Sequence, residues 1–237
     1  MKEKLYAIPV NDAFNTPCEC PVCAMYDKLE TDAVDFTMDS SYMVDDVRME
    51  TDEKGFCSRH LKMVYEKENR LGMALVVNTH MNKINDEIKK MINKASAPQK
   101  SSLFSKNKGS DNEIVTYIEA LQRKCFVCDR INNFFDRYIA TIFYLSNTDP
   151  SFVEKYNTCR GFCIGHYKEL TKRAPSVLRG DKLSAFIEAT NRLYIENMER
   201  VNDDVSWFIA KFDYRNENEP WKNAKDSLPR ALIKLNR

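Results

Sequence analysis

Two cysteine pairs and two cysteine–histidine pairs recur along this chain at nearly constant spacing. Cys20-Pro-Val-Cys23 is followed by Gly55-Phe-Cys57-Ser-Arg-His60, and Cys125-Phe-Val-Cys128 by Gly161-Phe-Cys163-Ile-Gly-His166. The gap from Cys23 to Cys57 is 33 residues and that from Cys128 to Cys163 is 34. Six of the eight cysteines and two of the three histidines fall inside this duplicated signature. Zinc favours four tetrahedral ligands drawn from thiolate sulfur and imidazole nitrogen, and Cys3His is one of its closed structural sets. A Cys-x2-Cys turn aims two sulfurs at one ion, and Cys-x2-His at a helix start puts both donors on one face. The glycine before each Phe-Cys suits a sharp chain reversal, because Gly tolerates positive φ. The order of the motifs predicts one site from Cys20, Cys23, Cys57 and His60, and a second from Cys125, Cys128, Cys163 and His166. Two zinc ions per chain are expected. An iron–sulfur cluster is the alternative, although all-cysteine ligation is commoner there.

Positioning two such sites calls for two related halves, and the offset of 105 to 106 residues between the motif copies supplies them. The chain has 237 residues and is 43% hydrophobic, enough for a real core, with only 6 glycines and 8 prolines and no alternating strand pattern. The expected fold is all-α. Helical rhythm predicts helices over 24–36, 42–50 and 57–93 in the first half. In the second half it predicts 112–124, an apolar helix from Ile131, a short helix capped by Asp149-Pro150, a metal-bearing helix from Cys163, and a long one over 181–212. Residues 94–110 are polar, basic and rich in serine, as a flexible linker would be. The expected domains are therefore 1–93 and 111–237, each joining a Cys-x2-Cys turn to the start of a long helix.

Composition narrows the functional classes. The net charge is +1, so no global field draws in nucleic acid or a membrane surface. Residues 1–60 carry 6 basic and 13 acidic side chains, whereas 61–110 carry 10 basic and 4 acidic ones. This is the pattern of solvated helix faces. No apolar run approaches the roughly 20 residues that span a bilayer, and no signal-peptide pattern follows the first residues. The expected compartment is the cytoplasm of a bacterium-like cell, where such cysteine spacing points to metal rather than disulfides. Phosphate-loop, dinucleotide and hydrolase motifs are missing. A closed Cys3His site also leaves no open position for activating water. The leading expectation is a zinc-binding protein that acts through protein partners, as an adaptor or regulator. The second is an iron–sulfur or thiol-redox protein using Cys18 or Cys159, and an enzyme with a site between the halves ranks third.

Cys-Pro-Val-Cys, the two Gly-Phe-Cys-x-x-His units and the tail Trp207-Phe-Ile-Ala-Lys-Phe-Asp-Tyr-Arg215, with Pro220-Trp221, carry a resemblance over nearly the whole chain. The sequence resembles an uncharacterised protein family of anaerobic, Gram-positive-type bacteria. That resemblance implies a cytosolic, metal-binding protein and supplies no activity.

Overall fold

The computed structural model describes residues 3–96 and 110–235, and within them the regular structure is all helix, with no strand. Eleven α-helices follow in order: α1 (Ala7–Asn15), α2 (Pro21–Met38), α3 (Asp45–Lys54), α4 (Ser58–Glu66), α5 (Arg70–Ser96), α6 (Ser110–Gln122), α7 (Phe126–Thr148), α8 (Pro150–Thr158), α9 (Ile164–Val177), α10 (Gly180–Ala210) and α11 (Ser227–Lys234). Of the expected linker, 94–96 continue α5, residue 110 opens α6, and 97–109 lie outside the described residues. No helix among the described residues is long and apolar enough to cross a membrane.

Local chemistry sets several of the helix starts. Asp149 caps α8, its Oδ1 accepting from the Ser151 and Phe152 N–H groups, with Pro150 in the first turn where no N–H is needed. The single long helix expected from Cys57 to residue 93 is in fact two. Glu68 adopts φ 61°, and Asn69 caps α5 by accepting from the Gly72 N–H while its Nδ2 donates to the Met38 carbonyl. A left-handed residue followed by an asparagine cap ends one helix and starts the next. The apolar stripe across that region is correspondingly broken: Val64 and Val76 are buried, whereas Leu61 and Leu71 are exposed.

The chain forms two compact units, residues 1–28 with 134–237, and residues 29–133. The sequence predicts a division into 1–93 and 111–237. The observed division falls inside α2 and α7, so each of those helices gives one end to each unit. In the larger unit the core is aromatic. Tyr156 stacks on Phe14 with centroids 5.6 Å apart, meets Phe186 at 5.0 Å and Phe162 at 5.4 Å, and its hydroxyl shares a 2.7 Å hydrogen bond with Thr190. Phe143, Phe152 and Phe162 are fully buried there, each contributing about 1.5–3 kcal/mol by leaving water. The tail of this unit is held by Trp207, whose Nε1 donates to the Pro220 carbonyl. Lys211 also serves it, donating to the carbonyls of Asn216, Glu217 and Glu219. The smaller unit buries mainly aliphatic side chains, among them Leu29, Val34, Val64 and Ile131, together with Phe126.

Candidate metal centres

Each of the four ligand pairs sits at the N-terminus of a helix. The carbonyls of Cys20, Cys57, Cys125 and Cys163 accept from the N–H groups four residues on, at 3.1, 2.8, 3.0 and 2.9 Å, which makes these cysteines the residues just before α2, α4, α7 and α9. The second donor of each pair stands three residues later, on the same face one turn in. What precedes the pair also matters. Gly55 and Gly161 take φ 59° and 74°, and a Cβ at Gly161 would lie 2.5 Å from the Leu193 carbonyl oxygen. The Gly-Phe-Cys segment therefore needs glycine twice over, for conformation and for space.

All eight expected donors come together, but with crossed partners. Cys20 and Cys23 meet Cys163 and His166, while Cys57 and His60 meet Cys125 and Cys128, and within each group the ligand atoms lie within 4.8 Å of one another. The expected pairing within each half, Cys20/Cys23 with Cys57/His60 and Cys125/Cys128 with Cys163/His166, is overturned. The physical reason is that a local pair fixes only two donors, and which pairs meet is decided by helix packing at long range. Each group belongs to a single compact unit, the first to 1–28 with 134–237 and the second to 29–133.

The distances fit one ion per group. A tetrahedral zinc with ordinary Zn–S and Zn–N bonds sets its sulfurs about 3.8 Å apart and sulfur about 3.6 Å from nitrogen. In the first centre Cys23 and Cys163 Sγ are 3.6 Å apart, and His166 Nδ1 stands 3.5, 3.3 and 3.2 Å from Cys20, Cys23 and Cys163. In the second, Cys57 and Cys128 Sγ are 3.9 Å apart and His60 Nδ1 is 3.3 Å from each of the three sulfurs. Both histidines thus present Nδ1 to the centre. Two helix N-termini face each group, and their partial positive charge favours three thiolates there.

Charge is shared unevenly among these thiols. Hydrogen bonds from Cys20 and Cys23, with His166 behind them, hold the Cys163 thiol far below its ordinary range. Burial pushes Cys20 well up, and the Cys163 contact raises Cys23 to about 12. In the second centre burial pushes Cys57 up but is outweighed by the His60 backbone N–H and the thiols of Cys125 and Cys128, so Cys57 lies low. Cys128 is raised, by burial and then by Cys125. A cation entering either group displaces protons from the raised thiols.

The surroundings of the two centres differ, in ways the motifs do not announce. His60 is 2% exposed, and its Nε2 lies 3.0 Å from Glu30 Oε1; Glu30, 4% exposed, also pairs with Arg59 at 2.5 Å. A carboxylate behind a ligating imidazole fixes its tautomer and raises its basicity. His166 instead has the Phe135 ring beside it, centroids 5.7 Å apart. A second difference begins with one proline. The Phe126 N–H donates to the Gly55 carbonyl at 2.9 Å, tying the two ligand segments of the second centre together. The position matching Phe126 in the other copy is Pro21, which has no N–H. There the buried Lys234 of α11 does the tying: its Nζ donates to the carbonyls of Glu19 at 2.7 Å and Arg160 at 2.5 Å, and pairs with the Glu19 carboxylate at 3.4 Å.

Cys18 and Cys159 stay outside both groups. Burial raises the Cys18 thiol and lifts Cys159 to about 11, so both are protonated near neutral pH, which makes them poor nucleophiles. None of the eight cysteines is in a disulfide. His80 packs against Gly55 and bonds the Asp52 carbonyl at 2.8 Å, a structural position. Neither a curated protein nor a solved structure matches the chain. The family model of DUF6062, a family of unknown function, matches residues 1–237, and the chain belongs to that family.

Proposed function

We propose that this is a zinc protein with two structural Cys3His centres, acting through binding to other proteins as an adaptor or regulator. The observation that carries it is the closure of eight donors into two sets whose edges match a zinc tetrahedron. Three thiolates with one imidazole form a soft set that suits zinc over magnesium, calcium or manganese, and zinc outranks ferrous iron in general affinity. The cysteines of a four-iron cluster each hold a different iron and stand around the cluster, whereas here all four ligand atoms lie within 4.8 Å of one another. With four protein donors per ion, no coordination position is left for substrate or water, which favours a structural role over Lewis-acid catalysis. Cytoplasmic placement goes with this proposal, because reduced thiols are kept as metal ligands there.

Metal analysis of anaerobically purified protein tests it, together with the absorption spectrum after cobalt(II) replacement. Two zinc ions per chain, no acid-labile sulfide and a tetrahedral thiolate-type cobalt spectrum are expected. Brown protein containing iron and sulfide overturns the proposal in favour of an iron–sulfur protein.

A further inference from the structure

The larger unit also holds a polar cavity of about 560 Å³ that takes no part in either metal centre. Its walls come from the end of α8 and the turn after it, from the middle of α10, and from the segment entering α11. Four guanidinium groups converge there: Arg160, Arg192, Arg200 and Arg230. Two are fixed in place from behind. Arg200 is held by buried Glu19 at 2.5 Å and by Asn197 at 3.1 Å, and Arg230, 11% exposed, by Asp204 at 2.9 Å. The other two are held more loosely, at the exposed rim. Arg160 is 54% exposed, and its nearest carboxylate oxygen, Glu19 Oε1, is 3.7 Å away, beyond hydrogen-bond reach. Arg192 is 45% exposed, meets Glu196 at 3.2 Å and donates to the Asn157 carbonyl at 3.4 Å.

Two carboxylates share the lining, Glu196 and Asp226, against the four guanidiniums. They are 57% and 70% exposed; Glu196 meets Arg192 through one solvated contact that a competing anion displaces, whereas Asp226 takes two contacts from the largely buried Arg230 and belongs with the fixed floor. Glu19 and Asp204 lie outside the lining. Guanidinium forks match phosphate oxygens in pairs, and the space is that of an ordinary small-molecule site. Leu193 is the one aliphatic side chain in the lining, so an apolar ligand would gain little.

We infer that this cavity binds a small phosphorylated metabolite, with Arg160 and Arg192 closing on the phosphate and Arg200 and Arg230 forming the fixed floor. Its concave shape favours a small molecule over a nucleic-acid backbone.

Titration calorimetry on the metal-loaded full chain at low ionic strength, with inorganic phosphate, AMP and adenosine as probes, tests the site. AMP should bind saturably at one per chain, phosphate more weakly, and adenosine not at all. The double substitution Arg160→Gln with Arg192→Gln should weaken AMP by about tenfold or more. Metal content should stay unchanged, because neither side chain touches a ligand. In the unaltered protein, AMP should also shift the side-chain Nε–H signals of Arg160 and Arg192, a readout that does not depend on the variant folding. Absence of saturable AMP binding, equal binding by the double variant, or unshifted arginine signals would each overturn the inference.

Discussion

Crossed and local pairing make opposite statements about which double substitutions cost one ion and which cost two. Cys20→Ser with Cys163→Ser strikes one centre twice in the crossed arrangement, leaving Cys57, His60, Cys125 and Cys128 intact. Cys20→Ser with Cys57→Ser strikes each centre once. A structural zinc is held by about 10–16 kcal/mol in small peptides, so one of four bonds carries about 2.5–4 kcal/mol. Losing it weakens binding by about 10²–10³, enough for a competing chelator to strip that ion. Chain entropy does not decide the pairing. Crossing separates Cys23 from Cys163 by 140 residues and Cys57 from Cys128 by 71, against the 33-residue gap of a local site. The larger closures cost only about 1.3 and 0.7 kcal/mol more. Packing and the bonds between ligand segments outweigh that. Native mass spectrometry after chelator dialysis should find one ion in the Cys20/Cys163 variant and none in the Cys20/Cys57 variant. The reverse counts would refute the crossed pairing.

Glu30→Gln should lower metal affinity about 10–100-fold at the centre containing His60 only, read by stepwise chelator titration, because Glu30 supports that imidazole alone. Gly161→Ala should destabilise the protein by more than about 2 kcal/mol in denaturant melts, since its Cβ meets a backbone carbonyl at positive φ. Hydrogen bonds from Lys124 and then Lys83 hold the Glu53 carboxyl at about 2, below its ordinary value of 4.5. A depressed carboxyl contributes stability that is complete above 4.5 and lost as pH falls toward 2. Glu53→Gln should therefore cost a few tenths of a kcal/mol at pH 7, the triad being exposed, and progressively less as pH falls below 4.5, as measured by parallel urea melts.

The donor types and the all-helical character were legible because both are local: Cys-x2-Cys and Cys-x2-His fit one helical turn, and helix periodicity shows in short windows. The partner of each pair was not. Either wiring uses the same eight residues at the same spacings, and nothing near Cys20 states whether it will meet Cys57 or Cys163. The break between α4 and α5 had a signal in Asn69, an asparagine ahead of a helical stretch, but the apolar run through Leu61, Val64 and Leu71 masked it. Glu30 and Lys234 support the centres from 30 and 74 residues away in sequence from His60 and Arg160. No spacing rule reaches that far. Pro21 is different: its missing N–H is visible in the sequence, but its meaning requires knowing that Phe126 donates to Gly55.

The crossed wiring also sets a timetable for the nascent chain. The four donors of the wrong, local set, Cys20, Cys23, Cys57 and His60, all leave the ribosome before any donor of the second copy. The 65 residues from His60 to Cys125 take about 3–13 s at about 5–20 residues per second. For that interval a metal ion meeting the chain finds only the mismatched tetrahedron to fill. Correct assembly then requires either that zinc arrive late or that it exchange, the inner ring closing at Cys128 and the outer ring only after His166. Lys234, 74 residues beyond Arg160, draws the Cys20 and Cys163 segments together only once it too has left the ribosome.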